Sequence, residues 1–240
     1  MSKYLSLWIE APLQSWGYDS KFGRRDTLPF PTKSGVYGLY LAALGAGGAQ
    51  RELLAELSEA KMTVYSFRTK KEEEHWNNKG KTPFLMDFQM VGSGYRDSKD
   101  HPWERLLIPK TAEGKTAVGG GSKMTYRYYL QDARFAVIQV LPKELATRIA
   151  VALQAPVYNL YFGRKNCVPS DFIYRGTFDS SVEAESFLLQ LAEEKGLEED
   201  FRVLDGAGEG DEMLINDIPV QFGEVKDYRD RKVTIVKNAG

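Results

Sequence analysis

At 240 residues, with 42% apolar and 27% charged side chains, the chain is long enough to bury a full core without a metal or disulfide to staple it. Its one cysteine, Cys167, excludes an internal disulfide framework and fits a reducing compartment, and one cysteine with two histidines cannot assemble a Cys/His zinc site. The net charge of −1 conceals a division: residues 1–178 carry 25 Lys and Arg against 17 Asp and Glu, net +8, whereas 179–240 carry 7 against 16, net −9.

Residues Lys3 to Ala11 alternate, with Leu5, Leu7, Ile9 and Ala11 on one face and a semi-polar face of Tyr4, Ser6, Trp8 and Glu10, which predicts a first strand. No secretory apolar segment precedes it and no apolar run approaches membrane-spanning length, so a cytoplasmic protein is expected. An aromatic-rich loop carrying Arg24 and Arg25 then leads to Pro31 and Thr32, a helix entry with Thr32 as N-cap. Val36, Leu39, Tyr40, Ala43 and Leu44 follow at helical spacing. Gly35 and Gly38 leave the helix start without bulk. Backbone N–H groups at such a start are unpaired, so a phosphate could rest there, with Lys33, Arg24 and Arg25 supplying full charges. Gly45 to Gly48 breaks the chain, Gln50 to Ala60 reads as a second short helix with Leu53, Leu54 and Leu57 inward, and Met62 to Phe67 reads as a strand.

Residues 68–82 form a charged loop, and Phe84 to Val91 recovers strand character. The segment 92–130 is rich in Gly, Lys, Arg and aromatics and is too long for an ordinary loop. An extended hairpin or thumb with its tip near Gly119 to Gly121 is expected. Ala133 to Leu141 is the clearest strand; Pro142 opens a helix over Lys143 to Leu153, with Leu145, Ile149 and Leu153 on one face, and Phe172 to Phe178 returns as a strand. Strand, helix, strand, then strand, helix, strand is the split βαβ order of a ferredoxin-like α+β domain, here interrupted by the long basic insertion. Beyond Asp179, Ser181 to Lys195 predicts a helix capped by Ser180 or Ser181. An acidic loop is expected next, then two short strands around Leu214 to Phe222 and Val233 to Val236, with the basic cluster KDYRDRK at 226–232 between them.

Signals for catalysis are thin. His75 and His101 lie in charged loops without a Ser or Cys nucleophile pattern, and no carboxylate pair takes general acid and base roles. Gly114-Lys115-Thr116 resembles the end of a phosphate-binding loop, but Pro109 stands where its first glycine belongs. No cofactor or metal is expected. Aromatics alternate with cations at Trp16, Tyr18, Phe22, Arg24 and Arg25, at Lys123, Tyr126, Arg127 and Tyr128, and at Tyr161, Phe162, Arg164 and Lys165. Single-stranded nucleic acid is held by such mixtures, bases stacked on rings and phosphates paired with cations. For any one cluster, a core aromatic beside a surface cation is the simpler reading. The charge division admits the same two readings, a polyanion-binding body with an acidic appendage or solvated faces of opposite sign. Three clusters within the positive part favour nucleic acid.

Four motifs in order carry a more specific likeness: PLQSWG at 12–17, FPTKSGVYGL at 30–39, YLQDARFAV at 129–137, and the run from Pro156 through Tyr158 to FGRKNCVPS at 162–170. Together they resemble the CasD family, RAMP-type subunits of the Cascade effector complex in type I-E CRISPR systems; YRDRKV at 228–233 resembles that family's C-terminal basic motif. The resemblance implies a non-catalytic subunit that binds the 5′ handle of CRISPR RNA and caps one end of the repeated backbone subunits, serving defence against foreign DNA. Its partners would be that RNA, the backbone and large subunits, and target DNA through the complex. The implied fold is a ferredoxin-like (RRM-like, RAMP) palm over 1–178, with a thumb insertion at about 92–124, and a small C-terminal β-rich part over 179–240. Carried over by motif, Gln14 and Trp16 lie in a glycine-containing loop and Lys33, Ser34 and Gly35 at the helix start, all beside the handle, while Arg164 and Lys165 take a structural or RNA-facing role. Segments 92–124 and 179–224 depart from the family pattern. The competing readings are a metal-independent endoribonuclease acting on CRISPR repeats, with Tyr37, Lys33 and His101 as its acid–base candidates, and a purely protein-bridging role.

Overall fold

In a computed structural model of the chain, the structure describes residues 1–18, 20, 23–69, 84–91, 111–115 and 123–238. Phe22, both histidines, the expected thumb tip and most of segment 92–122 lie outside them.

The split βαβ order is realised as two interleaved units. Strand β1 (Ser2–Glu10), helix α1 (Lys33–Leu44) and strand β6 (Met62–Arg68) form one; β9 (Arg134–Pro142), α3 (Lys143–Gln154) and β10 (Tyr174–Phe178) form the other. Short strands β2 (Leu13–Gln14), β3 (Trp16–Gly17), β4 (Arg24–Arg25) and β5 (Thr27–Leu28) lie in the loop before α1, and α2 (Arg51–Ser58) precedes β6. The four long strands pair in the order β10-β1-β9-β6, all antiparallel, which is the ferredoxin-like arrangement. Leu5, Leu7 and Ile9 of β1, with Val64 and Val137, meet Val36, Tyr40, Leu145 and Ile149 of α1 and α3 in the main core.

The other face of β1 is also closed. Helix α4 (Ser181–Glu194), capped by the Ser180 hydroxyl accepting from the Glu183 N–H, sets Ala184, Leu188 and Ala192 against Trp8, Tyr65 and Ile138. Trp8 and Ser6 are therefore fully buried, where alternation predicted a semi-polar face; a helix from beyond residue 179 supplies the cover.

Three strands, not two, follow α4. Residues expected as an acidic loop form β11 (Glu198–Asp205), which pairs with β6, and β12 (Asp211–Gln221) and β13 (Asp227–Lys237) complete a seven-stranded sheet ending β6-β11-β13-β12. Acidic side chains fit here because they are paired: Asp200 with Arg68 at 3.2 Å, and Glu199 with Arg202 at 2.5 Å, an arginine that also holds Glu185 of α4 at 2.7 Å. Most of the cluster KDYRDRK falls inside β13 rather than between strands, and its Arg231 points into the interior.

A second sheet carries the arms of the insertion. Strand β8 (Lys123–Gln131) pairs antiparallel with β7 (Phe84–Val91) and with β2, and parallel with β4. The register sets Met86, Phe88 and Met90 beside Tyr128, Tyr126 and Met124, so one face of the ribbon is apolar and exposed.

Candidate nucleic-acid interface

The start of α1 is built by two caps. Thr32, extended at φ −86° and ψ 154°, accepts from the Gly35 N–H through its hydroxyl at 3.1 Å. The Lys33 N–H donates to Asp217 Oδ2 at 2.8 Å. Asp217 belongs to β12, so the C-terminal strands hold the helix start in place. Its carboxylate receives the Arg231 guanidinium through two bonds of 2.7 and 2.9 Å, and Arg231 also donates to Asp205. Burial by itself would lower the Arg231 pKa; the bonds to Asp217 and the charges of Asp217 and Asp205 outweigh it and hold the group above its ordinary value.

That network corrects one expectation. Lys33 is buried, its ammonium 2.8 Å from Asp205 Oδ2 and donating to the Ala60 carbonyl at 2.8 Å. Two cations and two carboxylates thus neutralise one another inside the protein. The Lys33 charge is spent there, and only its backbone belongs to the helix start.

Gln14 and Trp16 are likewise interior, at 0% and 1% exposure. Gln14 donates to the Ala133 carbonyl at 2.6 Å and accepts from Trp16 Nε1 at 3.1 Å. The Trp16 ring packs on Phe162 and covers Gly35, where an added Cβ would come within 2.6 Å of it. These two residues shape the site from beneath instead of offering side chains to a ligand.

The loop after α3 is pinned at both ends. Val157 and Tyr158 donate their N–H groups to Ala43 and Ala42 at the end of α1, and Ser15 donates to Phe162 O at 3.0 Å. Gly163, at φ +93°, passes so close to the Ser15 carbonyl that no side chain fits. Arg164 then ties three segments, donating to Tyr128 O at 3.2 Å and Arg25 O at 3.0 Å with its guanidinium 4.5 Å from the Tyr129 ring. Lys165 is exposed.

These pieces line an open cavity of about 580 Å³. Ser34 and Gly35 line it from α1, Arg25 from β4, and Arg164 and Lys165 from the pinned loop. Of the other expected contacts, Arg24, Tyr126 and Arg127 stand apart from its lining. Arg24 pairs with Asp26 at 2.8 Å and lies 4.9 Å from the Tyr128 ring, a bond that raises its pKa. Tyr126 is exposed against Phe88, with 5.2 Å between ring centroids, and Arg127 is half-buried further along β8, the strand that Lys123 opens. Sequence reasoning missed the residues that the β12–β13 turn brings to the cavity, Phe222, Lys226 and Tyr228. Their signal was the basic cluster at 226–232, isolated in an acidic region.

A ferredoxin-like sheet prolonged at one edge and carrying a side ribbon is a RAMP-type architecture. The chain belongs to the family described as CRISPR-associated protein (Cas_Cas5), which it matches over residues 4–234. It is 28% identical over 192 residues to CRISPR system Cascade subunit CasD of Escherichia coli (strain K12), a match covering 78% of this chain and 77% of that protein. Among solved structures it is similar to a chain of a CRISPR RNA-guided surveillance complex, at 26% identity and a TM-score of 0.69, covering 98% of this chain and 90% of that one. It is also similar to a Cas protein known from a crystal structure, at 25% identity and a TM-score of 0.56, covering 98% and 94% respectively.

Proposed function

We propose that this chain holds the 5′ handle of CRISPR RNA in the cavity beside α1 and so caps the row of backbone subunits in a cytoplasmic type I-E Cascade complex, in contact with the large subunit and, through the assembly, with target DNA. The observation that carries this reading is the convergence of Arg25, Arg164 and Lys165 with the capped start of α1 on one cavity. Full positive charges converging on one site suit phosphates.

Holding is favoured over cutting by where the acid–base candidates fall. Tyr37 is buried, donating to Leu57 O at 2.6 Å and accepting from Gln139, and burial raises its pKa well above the ordinary phenol value. Lys33 is engaged with Asp205. Neither presents an accessible side chain to a 2′-hydroxyl, and His101 lies outside the described residues.

The test is to coexpress the chain with its partner subunits and a CRISPR array and to extract nucleic acid from the purified complex. RNA of one discrete length is expected, and a nucleic-acid-free complex would sink the reading. Repeat RNA incubated for hours with the purified chain in chelator should stay intact; cleavage would favour the endoribonuclease.

A further inference from the structure

Two segments far apart in the chain carry no charged residue, and they meet at one end of the palm. Residues 34–50 and 149–163 hold no Asp, Glu, Lys or Arg, in a chain where these make up 27% of the residues. The Val157 and Tyr158 N–H groups, just beyond α3, donate to Ala43 O and Ala42 O of α1 at 3.0 and 3.2 Å. The Val157 side chain lies against Gly45, where an added Cβ would come within 2.8 Å of it. The C-terminal ends of α1 and α3 and the loops after them therefore form one uncharged surface.

That surface faces outward. Val151, Val157 and Tyr158 are 62%, 64% and 57% exposed, and every residue from 154 to 159 is exposed. A helix end in water ordinarily draws Lys, Arg or His into its last turn, because the terminal carbonyls carry partial negative charge. Neither α1 nor α3 has a basic residue there. The carbonyls are satisfied within the protein instead: the Gly45 and Ala46 N–H groups donate to Ala42 O and Leu41 O, and the Ala155 N–H and the Gln154 side chain donate to Val151 O and Ala150 O.

The chemistry of this face selects its cover. RNA and acidic lipid are anions that need cations, and neither segment supplies one, while helix C-termini repel negative charge. An apolar protein surface leaves no group unpaired against it. The face also adjoins the RNA cavity, which takes Ala42 and Asn159 of the same two segments into its lining. We propose that this uncharged end of the palm, from Val151 through Tyr158 with the turn at 45–49, is the docking face for a neighbouring protein subunit of the complex, which covers it with apolar side chains and stands beside the RNA cavity. The proposal rests on the assembly reading above and names the surface through which the chain makes that contact.

Val151→Lys separates the chain from the complex. A cation in the last turn of α3 is favourable, so the isolated variant should melt no lower than the unsubstituted chain. In the complex the same charge would be buried without a partner. Coexpressed with the other subunits and an unsubstituted copy, the variant should be incorporated about tenfold less or worse. Val182→Glu places a charge on a similarly exposed valine in the first turn of α4 and should be incorporated normally. A photoreactive phenylalanine in place of Tyr158 should join the chain to another protein subunit. Full incorporation of Val151→Lys, an equal loss with Val182→Glu, or an adduct with RNA or with a second copy of this chain overturns the docking face while the unsubstituted chain still assembles. An unsubstituted chain that does not enter the complex overturns the assembly reading itself.

Discussion

The Lys33 ammonium and the Asp205 carboxylate lie 2.8 Å apart, with the lysine side chain only 5% exposed. The pair joins the first helix of the palm to the first strand added beyond it, and Arg231 and Asp217 complete the charge balance. Removing one member of a buried network strands the others without water. Lys33→Met should therefore destabilise the chain by about 3 kcal/mol, toward the lower end for a broken buried pair because Asp205 keeps Arg231. Urea unfolding gives the value; a change below about 1 kcal/mol would mean that water reaches the pair.

Charge reversal at Arg25 or Lys165 should behave in the opposite way. Both are exposed and line the cavity, so the fold should tolerate Glu at either position. Each lost phosphate contact should flatten the dependence of log affinity on log salt by about 0.7, the single-strand value. A slope that does not move in either variant would place the RNA backbone elsewhere.

Two glycines three residues apart on α1 should respond with opposite signs. Gly35→Ala forces its Cβ to within 2.6 Å of the buried Trp16 ring and should cost about 1–3 kcal/mol. Gly38→Ala meets nothing within 4 Å among the described residues outside its own helix and should stabilise the isolated chain by about 0.8–1 kcal/mol through helix propensity. Thermal or urea melting of the two variants, compared in parallel, tests this; the same sign for both would refute it.

Cys167 should be inert in the native protein. It is fully buried, and desolvation raises its thiol pKa despite the neighbouring Arg164. An aromatic disulfide reagent at pH 8 should react fast and stoichiometrically in guanidinium and at least about a hundredfold slower without it. Equal rates would show that the turn closed by the Phe162 N–H donating to the Cys167 carbonyl at 2.9 Å opens freely.

Burial raises the phenol pKa values of Tyr37, Tyr40 and Tyr65. A folded pKa above the unfolded one contributes stability that is fully present below the unfolded value, about 10, and is lost as pH rises through the folded value. The chain should therefore unfold cooperatively above about pH 10, with phenolate absorbance at 295 nm appearing together with loss of far-ultraviolet dichroism. Ionisation of every tyrosine near pH 10 while the dichroism holds would contradict this.

Local signals carried well where contacts are local. The Thr32 cap, the alternation of β1, the apolar spacing in α3 and the Ser180 cap are each set by neighbours within a few residues, and each lies where spacing placed it. Acid-rich residues 198–205 misled because their composition reads as solvated. Their partners, Arg68 from β6 and Arg231 from β13, arrive from far along the chain and make a strand of them. Trp8 misled for the same reason, since α4 covers it from 170 residues away or more.

The strand and helix order of a ferredoxin-like palm and the motifs of the Cas_Cas5 family are legible in the residues alone, because periodicity, caps and turns act over short distances. Which polar residues face outward depends on contacts made far along the chain. Lys33, Gln14 and Trp16 share a motif neighbourhood with Ser34 and Gly35, yet the first three are interior because Asp205, Ala133 and Phe162 close over them, while Ser34 and Gly35 line the cavity. The opposite correction brought Phe222, Lys226 and Tyr228 to the cavity from a hairpin nearly two hundred positions downstream of α1, which the pairing of β11 with β6, the Lys33–Asp217 bond and the Phe222–Ala49 bond set beside that helix.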